Sequence, residues 1–179
     1  MPRKSTPKAK KIFIKEGIAD ISNAGATIKR LMLCPEKKAF IQLVSLKPVV
    51  SREQLLFAFT QALQAQEKKE TFSKSLPLEF LLRLSAQKQI SAALELFALK
   101  EGENKVAVVS DSKKALAWFE KEFSFTEKKG LLAENAEKNF AALKKIYSVG
   151  EKELIALNDC ANPLSEAVIE RIALLGMQG

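Results

Sequence analysis

The sequence predicts an α+β fold: a single helix-rich domain with a small mixed β-sheet covered by helices. Three observations lead there. Short apolar runs of strand character lie near the N-terminus, at residues 12–21 and 39–44, and recur once, at residues 106–109. Most of the remaining sequence carries its apolar residues at helical spacing. The chain has 179 residues, of which 47% are hydrophobic, so it can bury one full core and nothing argues for a second.

Taken in order, residues 1–11 bear prolines and lysines with too little apolar content to fold, and read as a disordered basic tail ahead of one domain over 12–179. Residues 12–21 alternate around Ile12, Ile14 and Ile18 as a strand, with Gly17 a bulge or bend. Residues 23–25 make a turn, and 27–34 fit either a second strand or a short helix. Residues 39–44 form a buried strand that Pro48 ends. Ser51 with Gln54 three residues on is a capping box, and Leu55, Phe59, Ala62 and Leu63 give its helix an apolar stripe to about residue 67. The polar residues 67–75 form a loop.

Ser75 and Pro77 start the next helix, which is apolar nearly all round and carries Glu79 and Arg83 at i,i+4 as an ion pair for its polar edge. Ser85 then reads as the N-cap of a following helix, with Gln87, Lys88 and Gln89 in its first turn and Ile90, Ala93, Leu94 and Phe97 on one face. A first turn presents unpaired N–H groups and partial positive charge, so these residues could hold a phosphate as well as pack a corner. That helix ends near Gly102. Asp111 caps a helix bearing Ala115, Leu116, Trp118 and Phe119, and a weak strand lies within 124–132. A helix from Asn135 places Ala136, Phe140, Leu143 and Tyr147 on one side until Gly150. A short helix covers 151–158, and Asn162 with Pro163 opens the last one.

In that last helix Leu164, Val168, Ile172 and Leu175 form one stripe, while Ile169, Ala173 and Leu174 widen the apolar surface. The helix is then either a fully buried closing element or one that shows a second face to a partner.

The net charge of +8 is unevenly placed: Arg3, Lys4, Lys8, Lys10 and Lys11 supply +5, leaving +3 for everything after residue 11. Sequence-blind attraction to phosphate is therefore concentrated in the tail, which is either a solubilising extension or a nucleic-acid contact.

The chain contains no histidine, which removes the commonest general base and the Ser-His-Asp and Cys-His constellations. Its two cysteines, Cys34 and Cys160, have neither disulfide-framework nor metal-ligand spacing. Both phosphate-cradling glycine signatures are missing. We expect no catalytic residue, metal or cofactor, and a soluble cytoplasmic protein with no membrane association, because no apolar run approaches a bilayer span.

The Glu-x-x-x-Arg helix at 79–83, the Ser-x-x-x-x-Ile step at 85–90 and the Ala-Leu-x-x-Phe face at 93–97 resemble the kinase-binding subunit of the KEOPS complex, which makes threonylcarbamoyladenosine on tRNA. The lone later strand and residues 167–173 also fit, so the resemblance extends over residues 12–176. It departs at Ala86 and Ala98, where the family often has glycine, a residue that permits φ > 0. The resemblance implies a non-catalytic subunit that supports a kinase-like ATPase and holds the 3′ CCA end of tRNA. The RNA-facing set would be Lys74, Arg83, Ser85, Gln87, Lys88 and Gln89, with Arg83 serving either RNA or a salt bridge to Glu79. The partner-facing set would be Val168, Ile169, Ile172 and Leu175. The other reading is a free-standing RNA-binding module acting through its basic tail.

Overall fold

The computed structural model describes residues 11–177, with side chains to residue 175. Residues 1–10, most of the expected tail, lie outside the described residues. Four strands, β1 (Phe13–Ile21), β2 (Ile41–Ser45), β3 (Gly102–Ser110) and β4 (Phe125–Glu127), form one sheet in the order β2-β3-β1-β4. Every neighbouring pair is antiparallel, so the sheet is not mixed as expected. β1 and β2 are separated because β3, which enters after three further helices, inserts between them and runs opposite to both.

Alternation along the strands gives the sheet two buried faces. Ala107 and Val109 of β3 turn with Ile14 and Val44 toward a core built from α2 (Arg52–Lys68), α3 (Leu76–Ser85), α6 (Leu131–Lys138), α7 (Phe140–Ile146) and α9 (Pro163–Met177). Val106 and Val108 turn the other way with Ala19, Ile21 and Leu43, against α1 (Ala24–Leu31) and α5 (Lys113–Glu122). Helix exceeds strand, as the α+β reading requires. Two short helices complete the described chain, α4 (Ile90–Leu96) and α8 (Glu151–Ala156). None of the described helices is long and apolar enough to cross a membrane.

Several boundaries differ from the sequence reading for local reasons. The ambiguous residues 27–34 fall mainly in α1, whose start is fixed by the Asn23 side chain accepting from Ala26 N–H at 2.8 Å. Gly17 is no bulge: it sits in register between Val106 and Glu127, and a Cβ there would lie 2.3 Å from the Thr126 carbonyl oxygen. Asp111 caps no helix, because its carboxylate accepts from Phe40 N–H at 2.8 Å and Ser112 caps α5 instead. The helix expected from Asn135 is two, α6 and α7, which meet at Asn139. Asn135 lies inside α6, donating to the carbonyls of Leu46 at 2.7 Å and Val49 at 3.1 Å. Gly150 starts α8 rather than closing α7, which ends at Ser148 in a left-handed conformation (φ 53°).

Candidate functional site

The corner between α3 and α4 is held from below by Gln54. As N3 of α2, Gln54 gives its N–H to Ser51 Oγ at 3.0 Å, half of the expected capping box. Its side chain does more than close the box. Oε1 accepts from Val50 N–H at 2.8 Å, while Nε2 donates to the Leu84 carbonyl at 2.9 Å and to Tyr147 Oη at 2.7 Å. Tyr147 in turn donates to the Pro48 carbonyl at 2.7 Å, and burial pushes its phenol pKa well above the usual range. One neutral network thus fixes the end of α3 to the start of α2 and the end of α7.

Above that network, Glu79 and Arg83 are 0% and 2% exposed, which corrects the expected pair on a polar edge. Arg83 Nε donates to Glu79 Oε1 at 2.8 Å, and Glu79 Oε2 accepts from Phe72 and Ser73 N–H at 2.8 and 2.9 Å. Arg83 Nη2 reaches the Glu70 carbonyl at 3.3 Å, and its guanidinium lies 4.7 Å from the Phe72 ring centroid. The pair is buried because the loop at 69–75 folds over it and uses its hydrogen-bonding capacity. Of the two readings of Arg83, the geometry is that of the salt bridge.

Ser85 is likewise not a cap. It is the last residue of α3, buried, and donates from Oγ to the Leu82 carbonyl at 3.0 Å. Ala86 then turns left-handed (φ 52°, ψ 34°), and the Gln87 N–H returns to the Leu82 carbonyl at 3.1 Å to close the helix. Glycine adopts this conformation at no steric cost, and alanine at about 1–2 kcal/mol.

Gln87, Lys88 and Gln89 follow on the surface, ahead of α4 rather than in its first turn, with Gln89 as N-cap. The Gln87 and Gln89 amides make no side-chain hydrogen bond among the described residues. The Lys88 ammonium stands 5.9 Å from the Phe72 centroid, and Lys74 is exposed on the same loop as Phe72. The predicted face of α4 splits: Ala93 and Phe97 are buried, whereas Ile90 and Leu94 remain 41% and 47% exposed. The six expected RNA-facing residues therefore divide into Lys74, Gln87, Lys88 and Gln89 at the surface and Arg83 and Ser85 inside.

Beside the corner is a feature that the sequence did not reveal. An apolar cleft of about 360 Å³ opens between α1, β2 and the α3–α4 pair, lined by Ile28, Met32, Leu43, Leu81 and Leu94 among others. The signal available was the apolar spacing of Ile28, Leu31 and Met32, obscured while 27–34 could still be a strand.

The last helix uses its predicted stripe on the core. Val168 and Ile172 are 0% exposed and Leu175 is 6% exposed, so these three expected partner residues face inward, and only Ile169 is half-buried. Outward apolar surface in this part of the molecule lies instead at Leu174, 45% exposed, and Ile155 of α8. Arg171 joins α9 to α8 and the α7 end, donating to Glu153 Oε2 at 2.8 Å and to the Ser148 carbonyl at 2.8 Å. No group of histidine, cysteine, aspartate or glutamate among the described residues could hold a metal, and Cys34 and Cys160 are both unbridged.

The family pattern described as kinase binding protein CGI-121 matches residues 18–176, taking in the corner, the sheet and nearly all of α9. The chain belongs to this family. Kinase binding is thus the property its family carries, and the CGI-121 match covers both surfaces just described. No curated protein matches the chain.

Proposed function

We propose that this CGI-121 member is the kinase-binding subunit of a KEOPS complex. It performs no chemistry of its own, supports the kinase-like ATPase subunit, and holds the 3′ CCA end of tRNA during threonylcarbamoyladenosine formation. The family match over residues 18–176 supports the kinase half of this reading. The observation that carries the tRNA half is the exposed sequence Gln87-Lys88-Gln89, with two unengaged amides and one cation, set against the exposed apolar side chains of Ile90 and Leu94. Single-stranded RNA ends are held by hydrogen bonds to base edges, by apolar or aromatic platforms and by modest positive charge, and the corner offers one of each.

Two experiments test the halves separately. Lys88→Glu should weaken tRNA binding about tenfold, or ~1.4 kcal/mol, and removing CCA from the RNA should weaken the wild type comparably. Equal affinity with and without CCA, by filter binding at one salt concentration, excludes the corner as the end-binding site. For the kinase half, Leu174→Glu should abolish pull-down of a kinase-like subunit while the melting temperature stays near wild type. Retained pull-down places that interface elsewhere. Failure of any kinase-like protein to co-purify with the wild type would favour a free-standing RNA-binding module.

A further inference from the structure

We propose that the cleft where residue 11 enters the fold is a second RNA site, one that takes phosphodiester backbone and reads no terminus. It extends the tRNA reading to a new surface and uses none of the corner residues.

The cleft, about 560 Å³, is walled by the start of β1, the start of α2 and the start of α5. Phe13 lies half-buried in it with two ammonium groups against its ring, Lys11 at 5.7 Å and Lys113 at 5.5 Å from the centroid. Arg52 closes a third side, its Nη1 donating to the Ile14 carbonyl at 3.4 Å. Two carboxylates line the cleft, Glu120 and Glu127, and both are held by Lys15, so they do not neutralise the other cations. Three separate elements thus bring Lys11, Arg52 and Lys113 to one aromatic floor.

Folding requirements do not explain this charge. Lys113 and its neighbour Lys114 are exposed in the first turn of α5, which has no acidic residue, although a helix N-terminus favours negative charge. Cations there oppose the helix dipole, and an anion bound in the cleft reverses that penalty. The cleft is also contiguous in sequence with the residues that hold most of the charge excess, since Arg3, Lys4, Lys8 and Lys10 directly precede Lys11. A run of cations leading to an aromatic-floored basic cleft suits a flexible polyanion with stackable bases, which is single-stranded or loop RNA.

The test uses the full chain with two fluorescein-labelled probes: a tRNA transcript lacking CCA and a mixed-sequence single-stranded RNA. In Lys113→Glu/Lys114→Glu, acids replace cations at a helix start, so the melting temperature should hold or rise. Affinity for both probes should fall at least tenfold. The plot of log K against log salt should flatten by about 1.4, two contacts at ~0.7 each. Phe13→Leu should lower affinity and leave the slope unchanged. Unaltered affinity and slope in the double variant would overturn the proposal. So would equal competition by poly-glutamate at matched charge, which would make the cleft a general polyanion surface. Lys88→Glu should leave binding of both CCA-less probes intact, so loss of the corner reading and loss of this one are distinguishable.

Discussion

Two Glu–Arg pairs support the two surfaces of this protein, and they do so in opposite environments. Glu79–Arg83 lies under the corner almost wholly buried, with both partners also bonded to the backbone of the 69–75 loop. Glu153–Arg171 ties α8 to α9 beside the outward-facing Leu174, with side chains 28% and 25% exposed. Each pair sits next to a non-glycine residue in left-handed conformation, Ala86 in one case and Ser148 in the other. The same chemical unit therefore does two jobs. In the interior, where an unpaired charge is very costly, the pair fixes one loop conformation. At the surface, solvent screens it and it only biases how two helices meet.

That contrast predicts a descending series of effects. Arg83→Met leaves Glu79 buried without its counter-ion and should cost about 3–5 kcal/mol in urea unfolding. A loss below about 1 kcal/mol would mean that the two pairs are equivalent after all. Next comes the turn beside the buried pair: Ala86→Gly removes the left-handed penalty and should raise stability by up to about 1 kcal/mol, glycine's greater unfolded-state freedom offsetting part of the gain. A drop in melting temperature would show that the Ala86 methyl contributes more by packing than it costs in strain. Smallest is Glu153→Gln. Arg171, mainly through its hydrogen bond, holds the Glu153 carboxyl below its ordinary value of 4.5. A depressed carboxyl contributes stability above its unfolded value and loses it as pH falls through the folded one. The wild type should therefore lose an increment below about 1 kcal/mol on acidification under pH 4.5 that the variant does not show. Identical acid limbs in melting curves would remove this pair from the argument.

Which parts of this were legible in the sequence follows from the range of the forces involved. The capped starts at Ser51, Ser75 and Asn162 were readable because caps and their partners lie within four residues. The second half of β3 was readable as an apolar run. Its first half was not, because Glu103, Asn104 and Lys105 are polar and become strand only by pairing with Ile18, Ala19 and Asp20 of β1. At the corner, the surface position of Gln87, Lys88 and Gln89 could be foreseen from polarity. The burial of Arg83 and Ser85 could not, since it depends on a loop that folds back over α3. The expectation for α9 was right about the stripe of Leu164, Val168, Ile172 and Leu175, but the structure assigns that stripe to the core. The Phe13 cleft had no local signature, because its cations come from positions 11, 52 and 113.

The network beneath the corner has a practical consequence for any binding study. Gln54, Tyr147 and the carbonyls of Pro48 and Leu84 are all neutral, and the Tyr147 proton is held far above the neutral range. Added salt has no charge to screen at this joint, and ordinary buffers leave its ionisation unchanged. The platform therefore keeps its geometry across a salt titration, and any change in RNA affinity measured along that titration reports on contacts with the ligand rather than on loosening of the scaffold.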